Sequence, residues 1–172
     1  MTISLYDATV ATFIQTLGAV EGFLGRGLDH CRANGIEPQE IVETRLYPDM
    51  LPFRYQVVST ISHSIGAIEA IKKGVFSPPA APEYDYEGLQ KAVGVARESL
   101  KKLSADEVNE LEGRDVKFEF RDRSIPFVGG NFLLSFSTPN FFFHASMAYG
   151  ILRSKGVPLG KRDFMGQLRI KA

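Results

Sequence analysis

LYDATVATFIQTLGAVEGFLGRGLDHCRAN, residues 5–34, carries the clearest periodic signal in the chain. Tyr6, Val10, Phe13, Leu17, Val20, Leu24, Leu28 and Cys31 recur every three or four positions. At about 100° per residue that spacing puts them on one face of a helix. Gly18, Gly22, Gly25 and Gly27 lower helix propensity but lie off the stripe, where they permit another backbone to approach closely. Gly35 is the expected stop. An amphipathic helix this long has to bury its stripe against other elements, and the rest of the chain supplies them.

Glu37 to Arg45 fits a short helical turn, and LYPDMLP is a stiff loop because Pro48 and Pro52 restrict themselves and their predecessors. A second helix runs from Pro52 to about Gly74, with Val57, Ile61, Ile65, Ile68 and Ile71 as its apolar stripe. GVFSPPAAPEY reads as a linker or lid. Asp85 is the expected N-cap of a third helix carrying Leu89, Val93, Ala96, Leu100 and Leu103, with SADE starting a further turn. VKFEFRD alternates Val116, Phe118 and Phe120 with charged residues, and FLLSF repeats the alternation at Phe132, Leu134 and Phe136. With Gly129-Gly130 between them, the two segments are predicted to pair as a β-hairpin. TPNFFFHASMAYGILRSKG then forms the fourth helix, started by Thr138 or Asn140 and ended by Gly156 and Pro158, before a structured tail, VPLGKRDFMGQL. The expected architecture is mainly α: one domain, residues 1–172, built as an up-and-down four-helix bundle with a β-hairpin inserted before the last helix.

A chain of 172 residues, 44% of them hydrophobic, can bury one core of its own. Its 20 basic and 20 acidic side chains balance, which argues against nucleic acid or anionic membranes as partners. One cysteine, Cys31, in an apolar stripe fits a reducing compartment, and MTISLYDATV lacks the basic and apolar regions of a secretion signal. A cytoplasmic location is expected.

The chemistry centres on histidine. His144 shares a helix side with Phe141, Met147, Ala148 and Ile151, so it faces the core or a pocket, whether as a packing residue, a metal ligand or a pocket wall. His63 lies away from the isoleucine stripe, on a small and polar face with Gln56, Thr60, Ala67 and Ala70. A zinc-like centre needs at least three protein ligands, yet the positions three and four after His144 are Met147 and Ala148. His30, near the end of the first helix, reads as a solvated residue favoured by the helix dipole. Asp49, Arg54, Tyr55 and Gln56 cluster where the second helix begins. There they either converge on a small ligand or, in the plainer reading, Asp49 caps the helix and Arg54 stays in solvent. GFLGRG and GVPLGKR lack the strand context and spacing of phosphate loops, and Ser62-His63-Ser64 lacks an orienting acid.

The helix HSIGAIEAI, the preceding LYPDMLPFRYQ and the stretch PNFFFHASMAYGILRSKGVPLGKRDFMG resemble the DinB/YfiT-like superfamily, in its DUF1993 branch, a domain of unknown function. The likeness covers nearly the whole chain. It implies a DinB-like bundle and, by analogy with characterised members of the wider group, a divalent-metal site of three histidines that in some members serves a thiol transferase. One of those histidines comes from the second helix and two, a turn apart, from the fourth. Carried over, His63 and His144 match the first two ligands, whereas Ala148 stands where the third belongs.

Three functions fit these residues. The first is a small-molecule pocket lined by Asp49, Gln56, His63 and His144, left by a degenerate metal site; if it is catalytic, His144 is the neutral base and Gln56 orients the substrate. The second is a transferase that binds Zn, Ni or Mn through His63, His144 and an unusual third ligand, Asp49 or water. The third is a non-enzymatic structural or interaction protein, a homodimer joined through the small and glycine-rich helix faces.

Overall fold

The structure is a computed structural model that describes residues 3–80 and 83–171. The long first helix is interrupted near its start. Ser4 and Asp7 form a capping box around α1 (Leu5–Ala8), and Thr9, at φ −118° and ψ −77°, breaks the winding before α2 (Val10–Asn34). From Val10 onward every residue of the predicted stripe is buried, and Phe23 and Gly27 join it. Gly27 explains one of the off-stripe glycines. A Cβ there would strike the hydroxyl of Tyr86, which donates to the Leu24 carbonyl at 2.9 Å while its ring stacks on Phe53 at 5.9 Å. Gly35 closes α2 with φ 63°.

After α3 (Pro38–Val42), the second bundle helix is assembled from α4 (Phe53–Ile61), a π-helical turn (Ser62–Gly66) and α5 (Ala67–Lys73). Val57, Ile68 and Ile71 of the predicted stripe are buried, and so is the small, polar face. Gln56, Thr60, His63, Ala67 and Ala70 are all buried, whereas Ile61 and Ile65 of the predicted stripe stay half-exposed. Buried hydroxyls and small side chains let two helices approach closely, and α4 uses that face to pack on the last helix. The third helix, α6 (Tyr86–Lys101), begins as expected, with Asp85 accepting from the Gly88 amide at 2.7 Å. Ser104 caps α7 (Ala105–Asn109) in the same way. In the bundle α2 packs chiefly on α6, and α4 on the last helix and on α6.

The sheet departs from the sequence reading. Val75–Phe76 forms a short β1 that pairs in parallel with β2 (Asp115–Phe120), Phe76 opposite Phe118. This turns the start of the supposed lid into sheet; its Ala81 and Pro82 lie outside the described residues, as do Met1, Thr2 and Ala172. β2 pairs antiparallel with β3 (Arg123–Val128) through a two-residue turn, Arg121-Asp122, where Arg121 adopts φ 54°. The hairpin therefore exists, but its second strand is RSIPFV. Pro126 is tolerated there because β3 is an edge strand and needs no donor on its free side.

FLLSF, predicted as that strand, is instead a π-helical turn (Phe132–Ser137) between α8 (Gly129–Asn131) and α9 (Thr138–Ser154). Pro139 accounts for the widened winding just before it, since it has no N–H to return to Ser135 and its ring crowds that carbonyl. The glycine pair serves close packing rather than a reverse turn. The Gly129 and Gly130 amides donate to the carbonyls of Arg114 and Glu112 at 2.7 and 2.8 Å, and a Cβ on Gly129 would sit on the Leu111 carbonyl oxygen. Since backbone cannot yield as a side-chain tip does, Gly129→Ala is expected to cost about 2 kcal/mol. Urea unfolding measures it, and a loss below about 0.5 kcal/mol would mean the helix start slides freely. α10 (Lys161–Met165) closes the tail, pinned where Arg26 pairs with Asp163.

Candidate functional site

Two anchored imidazoles meet between α4 and α9. Gln56, 4% exposed, donates from its Nε2 to the Leu51 carbonyl at 2.9 Å, which leaves its Oε1 facing His144. His144 Nδ1 is 2.8 Å from that oxygen. An amide oxygen only accepts, so the Nδ1 proton belongs to His144 and its Nε2 carries a lone pair. One helical stretch further along, His63 Nδ1 is 3.3 Å from Ser137 Oγ. The two contacts are reciprocal. Gln56 precedes His63 by seven residues, Ser137 precedes His144 by seven, and each polar residue reaches across to the histidine of the other helix.

The rings lie nearly parallel, 11° apart with centroids separated by 5.9 Å. Around them stand Phe76, 5.0 Å from His63, Phe136 at 5.6 Å from His63, and Tyr55, edge-on to His144 at 6.0 Å. Phe76 and Phe136 belong to an aromatic cluster with Phe118, Phe127 and Phe132 through which the hairpin packs on the π turn. The sheet thus forms one wall of the histidine site.

This apolar setting disfavours charge. Burial lowers the pKa of His63 from 6.5 to about 4, with the neighbouring His144 adding to the effect, and burial brings His144 to about 4 as well. Both rings are neutral at pH 7. Among the described residues, the fully buried side-chain polar atoms without a partner are Ser59 Oγ, Arg97 Nε and Thr138 Oγ1. Neither Nε2 is among them, and no described residue bonds either one.

The remaining expected site residues disperse. Asp49 is exposed on its loop, and the N-cap position of α4 is Pro52, with no side-chain cap, so Asp49 does not cap the helix. Arg54 pairs with Glu43 at 2.8 Å, leaving Tyr55 and Gln56 as the members of that cluster turned toward His144. His30, expected in solvent, is half-buried and contacts Asn34 at the end of α2. Ala148, where the family resemblance expects a third ligand, is 1% exposed. Among the described residues no group of three His, Cys, Asp or Glu is close enough to hold a metal, so these side chains do not fit a three-ligand centre.

Tyr55 also lines a cleft of 550 Å³ with Ser77, Pro78, Pro79, Ala80 and the hairpin tip at Glu119–Arg121. It is the residue common to that cleft and the histidine pair. Neither imidazole lines that cleft, nor a cavity of 590 Å³ between α2, Arg97 and the tail, nor an apolar groove of 550 Å³ between Ile61, Ile65 and Val95. Ser137 and Phe76 are the site residues the sequence reading passed over. Ser137 was discoverable only with FLLSF read as helix, because it then falls two turns before His144 on the same face.

Residues 5–165 match the profile of a domain of unknown function, DUF1993. No curated protein matches the sequence. Among solved structures, a DinB family member protein from Shewanella denitrificans superposes with a TM-score of 0.79 at 22% identity, covering 98% of this chain and 95% of that one. That similarity establishes a DinB-like helical bundle. No helix among the described residues is long and apolar enough to cross a membrane.

Proposed function

The chain belongs to the DUF1993 family, and we propose that its two cross-anchored imidazoles form a binding site for a small neutral molecule in place of the metal centre that a third histidine would complete. The observation that carries this reading is the arrangement of ring nitrogens. Each Nδ1 is tied to a residue of the opposite helix, neither Nε2 is bonded by any described residue, and the His144 ring stands edge-on to Tyr55, which borders the cleft. Buried groups fixed by a second layer of hydrogen bonds are preorganised, so a ligand meets them without a further ordering cost.

The electrostatics favour binding over base catalysis. A general base works best with a pKa near the working pH, and His144 at about 4 is some three units too weak at neutrality. It accepts a hydrogen bond well at that pH and takes a proton poorly. Metal is disfavoured by ligand count, because two imidazoles fall one short of the three protein ligands such a centre needs.

Metal content tests this directly. Untagged protein incubated with zinc, nickel or manganese and then dialysed is expected to hold well under one metal per chain by elemental analysis. His63→Ala and His144→Ala should give the same figure. Near-stoichiometric metal lost in both variants would sink the neutral-pocket reading and restore a metalloenzyme.

A further inference from the structure

Ser137 decides what the second imidazole presents. Its side chain is fully buried, and His63 Nδ1 is the hydrogen-bond partner of its hydroxyl among the described residues. A serine in a helix commonly returns its proton to a carbonyl one turn back, but the widened turn around Ser137 forms no such bond. If His63 carried its proton on Nδ1 and donated it to Oγ, the hydroxyl proton would be left in the core without an acceptor, which costs the full desolvation penalty of an unpaired donor. The satisfied arrangement has Ser137 Oγ donating to His63 Nδ1, which moves the ring proton to Nε2. Gln56 imposes the reverse on His144, whose proton is on Nδ1 and whose Nε2 is bare.

We propose that Ser137 and Gln56 lock the two imidazoles in opposite tautomers, so that the site offers one N–H donor at His63 Nε2 and one lone pair at His144 Nε2 and selects a neutral ligand carrying an acceptor and a donor side by side, as a carboxamide does. This rests on the pair being a ligand site. A carboxylate brings only acceptors and sets one of them against the His144 lone pair, and an ester has nothing to donate to it. The flanking Tyr55 and Phe136 favour a flat apolar body behind the polar group. The same lock bears on metal binding: both Nε2 atoms would have to be bare at once, and Ser137 removes one lone pair even before the third ligand is counted.

Long-range nitrogen–proton NMR of histidine-labelled, ligand-free protein at neutral pH reads the tautomers. His63 is expected to show a protonated Nε2 and His144 a protonated Nδ1. Identical tautomers in the two rings would overturn the lock. Ser137→Ala should convert His63 to the other tautomer or to a mixture and leave His144 unchanged, and Ser137→Thr, which keeps the hydroxyl, should restore the native pattern. A His63 signal indifferent to both replacements would overturn the role of Ser137.

The ligand class is tested separately with benzamide, benzoate and methyl benzoate, followed by the shifts of both Nε2 atoms. Benzamide is expected to bind at least about tenfold more tightly than the other two, the usual consequence of leaving a buried partner unpaired. Equal binding of the three would overturn the selection. If opposite tautomers are found but none of the three binds, the binding-site reading fails while the tautomer assignment stands.

Discussion

Lowering the pH from 7 to 4 is expected to remove on the order of 5 kcal/mol of stability through His63 and His144 alone. Both rings have folded-state pKa values depressed from 6.5 to about 4, so between these values the unfolded chain binds protons that the folded chain refuses. The histidines' contribution is therefore complete above about pH 6.5 and is lost as the pH falls toward 4, each pKa unit being worth about 1.4 kcal/mol. His63 accounts for the larger share because it is the more deeply buried ring, while solvent reaches His144 and weakens its part. Carboxylates titrate in the same range, so the check is a comparison of slopes. Urea unfolding of the wild type and of the His63→Leu/His144→Leu double variant is followed across the interval. The wild type should lose stability more steeply, and parallel curves would mean the rings are solvated in the folded protein.

Phe76→Ala should cost about 4 kcal/mol, the range for deleting a buried phenyl ring. Phe76 is 3% exposed and lies at the centre of contacts with His63, Phe118, Phe132 and Phe136, at centroid distances of 5.0 to 6.3 Å. Its strand is only two residues long, so little backbone pairing would hold the wall in place once the ring is gone. The same substitution should let water reach His63 and raise its pKa toward 6.5, a change that histidine NMR titration reads independently of stability. Phe76→Leu should recover most of the stability. A loss under about 1.5 kcal/mol for the alanine variant would show that the cluster closes over the vacancy.

Sequence and structure agree wherever a single period governs a segment. The α2 stripe, the Asp85 and Ser104 caps, Gly35, and the gathering of Gln56, Thr60 and His63 on one face were all readable from spacing and capping chemistry, and the structure brings Gln56 and His144 into contact. Agreement is lost where two periods fit the same letters. Phe132 and Phe136 satisfy a strand's alternation and a helix turn equally, and the nearby glycines mimic a hairpin signal. The true turn, Arg121-Asp122, places an arginine at positive φ and lacks the Asn-Gly or Asp-Gly signature. Ile61 and Ile65 share a stripe with the buried Val57, Ile68 and Ile71 but border an open groove beside Val95, which no helical period announces. Ser137 was hidden because its partner is 74 residues away in sequence, and only the winding of Phe132–Ser137 aims it there. The β1 strand was too short to announce itself, and its pairing with β2 depends on tertiary contact.

Both histidine-bearing helices carry a π turn, and the His63–Ser137 contact joins one to the other. Each such turn accommodates one residue more than an α-helix of the same length. The geometry of the site is thus recorded partly as residue count. Losing one residue from either turn would rotate the side chains on one side of it by about 100° relative to those on the other, separating His63 from Ser137 with every remaining side chain chemically intact. A lineage of this fold could accordingly dismantle or rebuild the cross-anchored pair by single-codon gain or loss, a route that residue-by-residue comparison of aligned columns would record as a gap rather than as a change of function.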